Sequence, residues 1–138
     1  MIFVDMDGTL VSWGHNNSVI LENWFEYGIF SIRLPVKPMI DKLSKMTNRL
    51  AIMSVAPSCN AIKEKNEWLD KHAPFLTERY YVGDPKRKVQ YMNAIVEKEG
   101  LKRSDCILID DTHEILQEAE LAGYYAIHTS TFLAKEEL

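Results

Sequence analysis

Met1-Ile2-Phe3-Val4-Asp5-Met6-Asp7-Gly8-Thr9 sets the pattern on which the whole chain is built. Four apolar residues end abruptly in two acids, the pattern of a short buried strand that delivers carboxylates to its C-terminal edge. The pattern recurs down the chain. Leu50-Ala51-Ile52-Met53 stops at Ser54, Tyr80-Tyr81-Val82 stops at Gly83-Asp84, and Cys106-Ile107-Leu108-Ile109 stops at Asp110-Asp111. Tyr124-Tyr125-Ala126-Ile127-His128 supplies a fifth strand. Unbroken apolar runs, rather than alternating ones, indicate strands covered on both faces.

Helical patterns fill the spaces between. Pro38 to Met46 sets Met39, Ile40, Leu43 and Met46 on one face, and about Ser58 to Lys71 turns Ile62, Trp68 and Leu69 inward. Lys88 to Glu99 carries a stripe of Val89, Met92, Ile95 and Val96 closed by Gly100. Thr112 or His113 to Ala122 carries Ile115, Leu116 and Ala119 and is closed by Gly123. This alternation predicts an α/β fold: a doubly wound, Rossmann-like, parallel five-stranded sheet with helices on both faces. In such a sheet ligands bind beyond the carboxyl ends of the strands.

Residues 11–34 break the rhythm, being too long for a plain connection between strand and helix. They read as a small insert beside the site, with Asn16 or Asn17 capping a short helix. Trp13, His15 and Trp24 are its candidate substrate contacts, since aromatic side chains stack on nucleobases with little regard to base identity.

The chain of 138 residues, 46% hydrophobic and 26% charged, fits a single domain over 1–138 and excludes a disordered or fibrous composition. Sixteen Lys plus Arg against twenty Asp plus Glu give a net charge of −4, which argues against broad capture of nucleic acid or anionic membrane. Cys59 and Cys106 show no CxxC and no metal-type spacing, so reduced structural thiols are expected. No apolar run approaches the roughly 18 residues of a membrane span, and Asp5 and Asp7 stand where a signal peptide would be apolar. A cytoplasmic protein is expected.

The polar clusters converge on one sheet edge: Asp5 and Asp7, Ser54, Lys86 just past the third strand, and Asp110 with Asp111. Four carboxylates held together repel, which raises their pKa values or demands a cation. An all-oxygen set suits Mg²⁺. With a lysine and a hydroxyl donor beside the metal, the pocket can hold a phosphate dianion despite its acidic walls. Phosphoryl transfer follows as the reaction class. One carboxylate attacks phosphorus, and a second carboxyl two residues on protonates the departing alkoxide and later activates water.

Asp5-Met6-Asp7-Gly8-Thr9 resembles the DxDGT signature of the haloacid dehalogenase superfamily of phosphohydrolases. Ser54, Lys86 and Asp110-Asp111 resemble its second, third and fourth motifs in order. The resemblance implies Asp5 as nucleophile, Asp7 as general acid/base, and Ser54 and Lys86 as ligands of the phosphoryl oxygens, with Lys88 as the alternative lysine. It implies a Mg²⁺ site of the Asp5 carboxylate, the Asp7 backbone carbonyl and Asp111, with Asp110 at the metal or its waters, and a minimal cap after the first strand. The Ile-Asp-Asp form of the fourth motif, and Trp68-Leu69 with Pro74-Phe75 in the stretch from Lys65 to Phe75, are similar to the 5′(3′)-deoxyribonucleotidases.

The expected function is a Mg²⁺-dependent phosphomonoesterase acting on a nucleotide or another small phosphate ester. The alternatives are a 3′-phosphatase on a nucleic-acid end, and a non-catalytic phosphate-binding or receiver-like module. A receiver places its phospho-acceptor on the third strand, whereas the acids here fall on the first and fourth.

Overall fold

The computed structural model describes residues 1–12 and 33–136. Ten elements follow in order: β1 (Ile2–Val4), α1 (Lys37–Ser44), β2 (Leu50–Val55), α2 (Cys59–His72), β3 (Arg79–Val82), α3 (Lys88–Lys98), β4 (Ile107–Asp110), α4 (His113–Leu121), β5 (Tyr125–His128) and α5 (Thr129–Ala134). Short 3₁₀ turns at Pro85–Arg87 and Arg103–Asp105 lead into α3 and β4. Among the described residues, the expected strands and helices form within a residue or two of their predicted bounds. The last helix, α5, has no counterpart in the sequence reading.

The sheet is parallel throughout, in the order β3-β2-β1-β4-β5. The predicted doubly wound architecture is therefore the observed one. Because side chains alternate across a strand, each strand feeds two cores. Ile2, Val4, Ile52, Ile109 and Ile127 pack with Met39 and Leu43 of α1, Trp68 and Leu69 of α2, and Phe132 of α5. Phe3, Ala51, Met53 and Leu108 face the other way, onto Val89, Met92 and Val96 of α3 and Ile115, Leu116 and Ala119 of α4. Both faces are thus covered, as the unbroken apolar runs require.

β1 is central, and the chain leaves it for β2 on one side and returns to β4 on the other. A crevice opens where the winding reverses, and β1 and β4 point their C-terminal ends into it. The two strands are locked in step there, the Asp5 N–H donating to Ile109 O at 2.9 Å.

Beyond β1 the backbone turns sharply: the N–H groups of Leu10 and Val11 both donate to Met6 O, at 2.9 and 3.0 Å. Gly8 takes φ 80°, a left-handed conformation that side-chain-bearing residues rarely adopt. The chain on either side of segment 13–32 is paired: Ser12 N–H donates to Leu34 O at 2.9 Å, and Val36 N–H donates to Leu10 O at 2.8 Å. The expected insert, with Trp13, His15, Trp24 and the helix cap at Asn16 or Asn17, lies outside the described residues.

Phe3 has no exposed surface and lies on the central strand against α3 and α4. Phe3→Ala should cost about 3–5 kcal/mol through lost burial and the cavity left behind. Urea unfolding followed by tryptophan fluorescence checks this, and a loss below about 1 kcal/mol would contradict the packing described.

Candidate active site

The C-terminal ends of three strands, β1, β2 and β4, and the faces of two helices, α2 and α3, build the site at the β1–β4 crevice. Asp5 follows β1 directly and is nearly buried. Its Oδ2 accepts a hydrogen bond from Thr9 Oγ1 at 3.2 Å, and Thr9 Oγ1 lies 2.9 Å from Thr129 Oγ1. Since Thr9 spends its proton on Asp5, Thr129 donates to Thr9. A chain of hydroxyls from the start of α5 thus fixes the Asp5 carboxylate.

Asp110 ends β4 on the adjacent strand and is 1% exposed. Its Oδ1 accepts from the Thr112 N–H at 2.9 Å, a local turn that leads into α4. Between Asp5 and Asp110 stands the ammonium of Lys88, donating to Asp5 Oδ1 at 2.8 Å and to Asp110 Oδ2 at 2.6 Å. Burial alone would favour its neutral amine. The two carboxylates outweigh burial and raise the Lys88 pKa above its ordinary value.

The lysine at the carboxylates is therefore Lys88. Lys86, the residue favoured from sequence, is exposed on the 3₁₀ turn before α3. The physical reason lies in that turn. Pro85 takes its first position, where no N–H is needed, and Asp84 Oδ1 caps it by accepting from the Lys86 N–H at 2.9 Å. The turn points Lys86 to solvent and makes Lys88 the first residue of α3, on the face shared with Met92 and Ile95.

A second buried lysine went unremarked in the sequence reading as a site residue. Lys65, on α2, has no exposed surface and donates to Asp7 Oδ2 at 2.6 Å, to Ser54 Oγ at 2.8 Å and to Val55 O at 2.6 Å. Ser58 sets the start of α2 by accepting the Ala61 N–H on its Oγ at 3.1 Å. The signal was present in the chain: Lys65 shares with Ala61, Trp68 and Leu69 the buried face of α2.

The structure thus brings Asp5, Asp7, Ser54, Asp110 and Asp111 together and adds Lys65 and Lys88. Burial is the largest influence on the acids. It pushes Asp7 above the usual carboxylate value, with Lys65 drawing it back. It does the same to Asp110, where Asp5 adds to the rise and Lys88 opposes it. Asp111 is pushed up to about 8, by burial first and then by Asp5, with which it shares a hydrogen bond.

Asp5, Asp110 and Asp111 each offer a carboxylate oxygen, all within 4.8 Å of one another. Such an all-oxygen acidic set fits a hard divalent cation. Asp111 is raised by burial and by the adjacent Asp5 and Asp110 carboxylates, and a cation bound there would offset both influences.

Lys88→Met would leave Asp5 and Asp110 buried without their shared counter-charge. It should destabilise the metal-free protein by about 3–5 kcal/mol at neutral pH. That loss should shrink as pH falls and Asp110, already raised by burial, takes up a proton, whereas Lys86→Met should change stability by no more than about 0.5 kcal/mol at any pH. Denaturant midpoints in EDTA across a pH series check this, and equal effects of the two substitutions would contradict it.

No family model matches the chain. Over 75 residues, 54% of its length, it is 31% identical to the GMP/IMP nucleotidase YrfG of Escherichia coli K12 and equally to that of Shigella flexneri. The matched stretch is 34% of those proteins, so the chain spans about a third of the curated relatives it matches. Solved structures superpose over 92% of the chain. An uncharacterized protein of Listeria monocytogenes serotype 4b does so with TM-score 0.63 at 16% identity, covering 76% of its own chain. A haloacid dehalogenase (HAD) family enzyme of Bacteroides thetaiotaomicron does so with TM-score 0.60 at 14% identity, covering 92% of its own chain. That enzyme was solved as an Asp-to-Ala variant with magnesium and inorganic phosphate. The architecture bears out the resemblance at the level of the superfamily's fold, and the chain has the haloacid dehalogenase-like fold.

Proposed function

We propose that the protein is a Mg²⁺-dependent phosphomonoesterase that works through an aspartyl-phosphate on Asp5, with a nucleoside monophosphate as its substrate class. The observation that carries this reading is the convergence of Asp5, Asp7, Ser54, Lys88, Asp110 and Asp111 at the β1–β4 crevice. The likeness to GMP/IMP nucleotidases supports the substrate class. The fold shared with a HAD family enzyme that binds magnesium and phosphate supports the chemistry.

Asp5 is the nucleophile, held by Thr9 and Lys88 at the end of the central strand. Its carboxylate oxygen bonds to phosphorus as the ester oxygen departs with the bonding pair and takes a proton from Asp7. Asp7 suits that task because burial favours its protonated form. In the second half, Asp7 removes a proton from water, the water oxygen bonds to phosphorus, and the acyl-phosphate bond breaks to restore Asp5. Ser54 donates its hydroxyl to a phosphoryl oxygen, and Lys88 supplies its remaining N–H. Asp5, Asp111, Asp110 and the Asp7 carbonyl would hold Mg²⁺, which supplies positive charge to offset the phosphate dianion among the acids.

Phosphate release from nucleoside 5′- and 3′-monophosphates, sugar phosphates and a 3′-phosphorylated oligonucleotide tests the proposal. Turnover of nucleoside monophosphates with Mg²⁺ is expected, falling by at least about a thousandfold in EDTA or in Asp5→Asn. Preference for the oligonucleotide would transfer the reading to a nucleic-acid 3′-phosphatase. Silence across the panel, beside a working control phosphatase, would overturn catalysis in favour of phosphate binding.

A further inference from the structure

The proposed chemistry assigns work to one lysine, Lys88, yet the site buries two. They divide the carboxylates between them. Lys88 spans Asp5 and Asp110, on the side where the nucleophile and the cation cluster lie. Lys65 approaches from the opposite helix layer, and among the described residues its carboxylate hydrogen-bond partner is Asp7.

The hydrogen bonds of Lys65 define what it can do. An ammonium has three protons and no acceptor, and Lys65 directs bonds to three oxygens: Asp7 Oδ2, Ser54 Oγ and Val55 O. A lysine so engaged serves as a tether rather than as a hand for substrate. The bond to Val55 O anchors the ammonium to the end of β2. The bond to Asp7 Oδ2 fixes one oxygen of that carboxyl and leaves Oδ1 to carry a transferable proton. The bond to Ser54 makes its hydroxyl an acceptor from Lys65, so that its own proton is directed elsewhere.

We propose that Lys65 is a positioning residue for the leaving-group half of the reaction, holding the Asp7 carboxyl in the orientation from which it protonates the departing oxygen. The inference rests on the phosphomonoesterase reading above and adds a residue to it. The P–O bond of the ester breaks, the ester oxygen keeps the electron pair, and the proton it gains comes from Asp7. Lys65 exchanges no proton in the step.

A positioning role of this kind has a signature that a general structural role lacks. Protonation by Asp7 matters for an alkoxide leaving group and scarcely matters for p-nitrophenolate, which departs unaided. General acid catalysis contributes about 10²- to 10⁴-fold where it is needed.

The experiment compares kcat/KM, which reports the reaction only up to departure of the leaving group and excludes the later hydrolysis that also uses Asp7, for a nucleoside 5′-monophosphate and for p-nitrophenyl phosphate in wild type, Lys65→Met, Lys65→Arg, Asp7→Asn and the Lys65→Met/Asp7→Asn double variant. Lys65→Met is expected to lose about a hundredfold on the alkyl ester and less than about tenfold on p-nitrophenyl phosphate, with Lys65→Arg recovering part of the difference. In the Asp7→Asn background Lys65→Met should leave the ratio of the two rates unchanged. Retained turnover of p-nitrophenyl phosphate certifies that each variant is folded. Lys65→Arg, which keeps the buried charge, gives the same comparison should Lys65→Met not fold: an alkyl-to-aryl ratio equal to wild type with both rates lowered overturns the positioning role. Equal losses of Lys65→Met on both substrates, or no loss on either, also overturn it while leaving the phosphatase reading intact. A wild type inert toward both substrates overturns the phosphatase reading itself and this inference with it.

Discussion

Four carboxylates share one crevice with two buried ammonium groups, and the arrangement depends on how each lysine is paired: Lys88 with Asp5 and Asp110, Lys65 with Asp7. Lys88 is 1% exposed and bridges the ends of two neighbouring strands through Asp5 and Asp110. Taking an ammonium out of water is costly, and two charge-assisted hydrogen bonds of 2.6–2.8 Å are what offset that cost here. Without such a bridge, repulsion between Asp5 and Asp110 would act across the β1–β4 pairing that forms the centre of the sheet. The site's acids and the C-terminal edge of the β1–β4 pair thus meet in the same contact.

The fold explains why that contact exists at all. A parallel sheet sends every strand's C-terminus to one edge, and reversal of the winding at β1 leaves the edge open between β1 and β4. Helices on opposite faces then each contribute one cation: Lys65 from α2 on the face shared with α1 and α5, Lys88 from α3 on the face shared with α4. Lys88 occupies an otherwise apolar face of α3, and Lys65 shares the buried face of α2 with Ala61, Glu64, Trp68 and Leu69; from such positions a long side chain can run along the core and bring its charged tip to the edge. Asp111 is pushed up to about 8 by burial first and then by the neighbouring Asp5 and Asp110.

Much of this was legible in the chain. Apolar runs ending in acids predicted the strands, their parallel arrangement and the edge where chemistry gathers, because a strand buried on both faces has a composition that a half-exposed one lacks. Asp5, Asp7, Ser54, Asp110 and Asp111 were readable from that edge. The lysine was harder. Lys86 and Lys88 differ by two positions in one basic run, and a single 3₁₀ turn capped by Asp84 decides which faces inward. Lys88 could have been found as the residue one turn before Met92 on the apolar stripe. Lys65 was overlooked because attention to strand ends leaves out a cation that arrives from the middle of a helix, although Ala61, Trp68 and Leu69 mark its face as buried. The short α5 was missed because its six residues carry too little periodicity to register. Among the described residues no helix is long and apolar enough to cross a membrane.

The central claim is that Asp5, held by Lys88 and Thr9, is the atom donor to phosphorus. Borohydride reduction of enzyme quenched during turnover converts an aspartyl-phosphate to homoserine, and mass spectrometry of the N-terminal peptide locates it. The account predicts homoserine at position 5, dependent on substrate and absent when the enzyme is quenched before substrate is added. Reduction at Asp7, Asp110 or Asp111 instead, or steady turnover with no reduced residue anywhere, would contradict it.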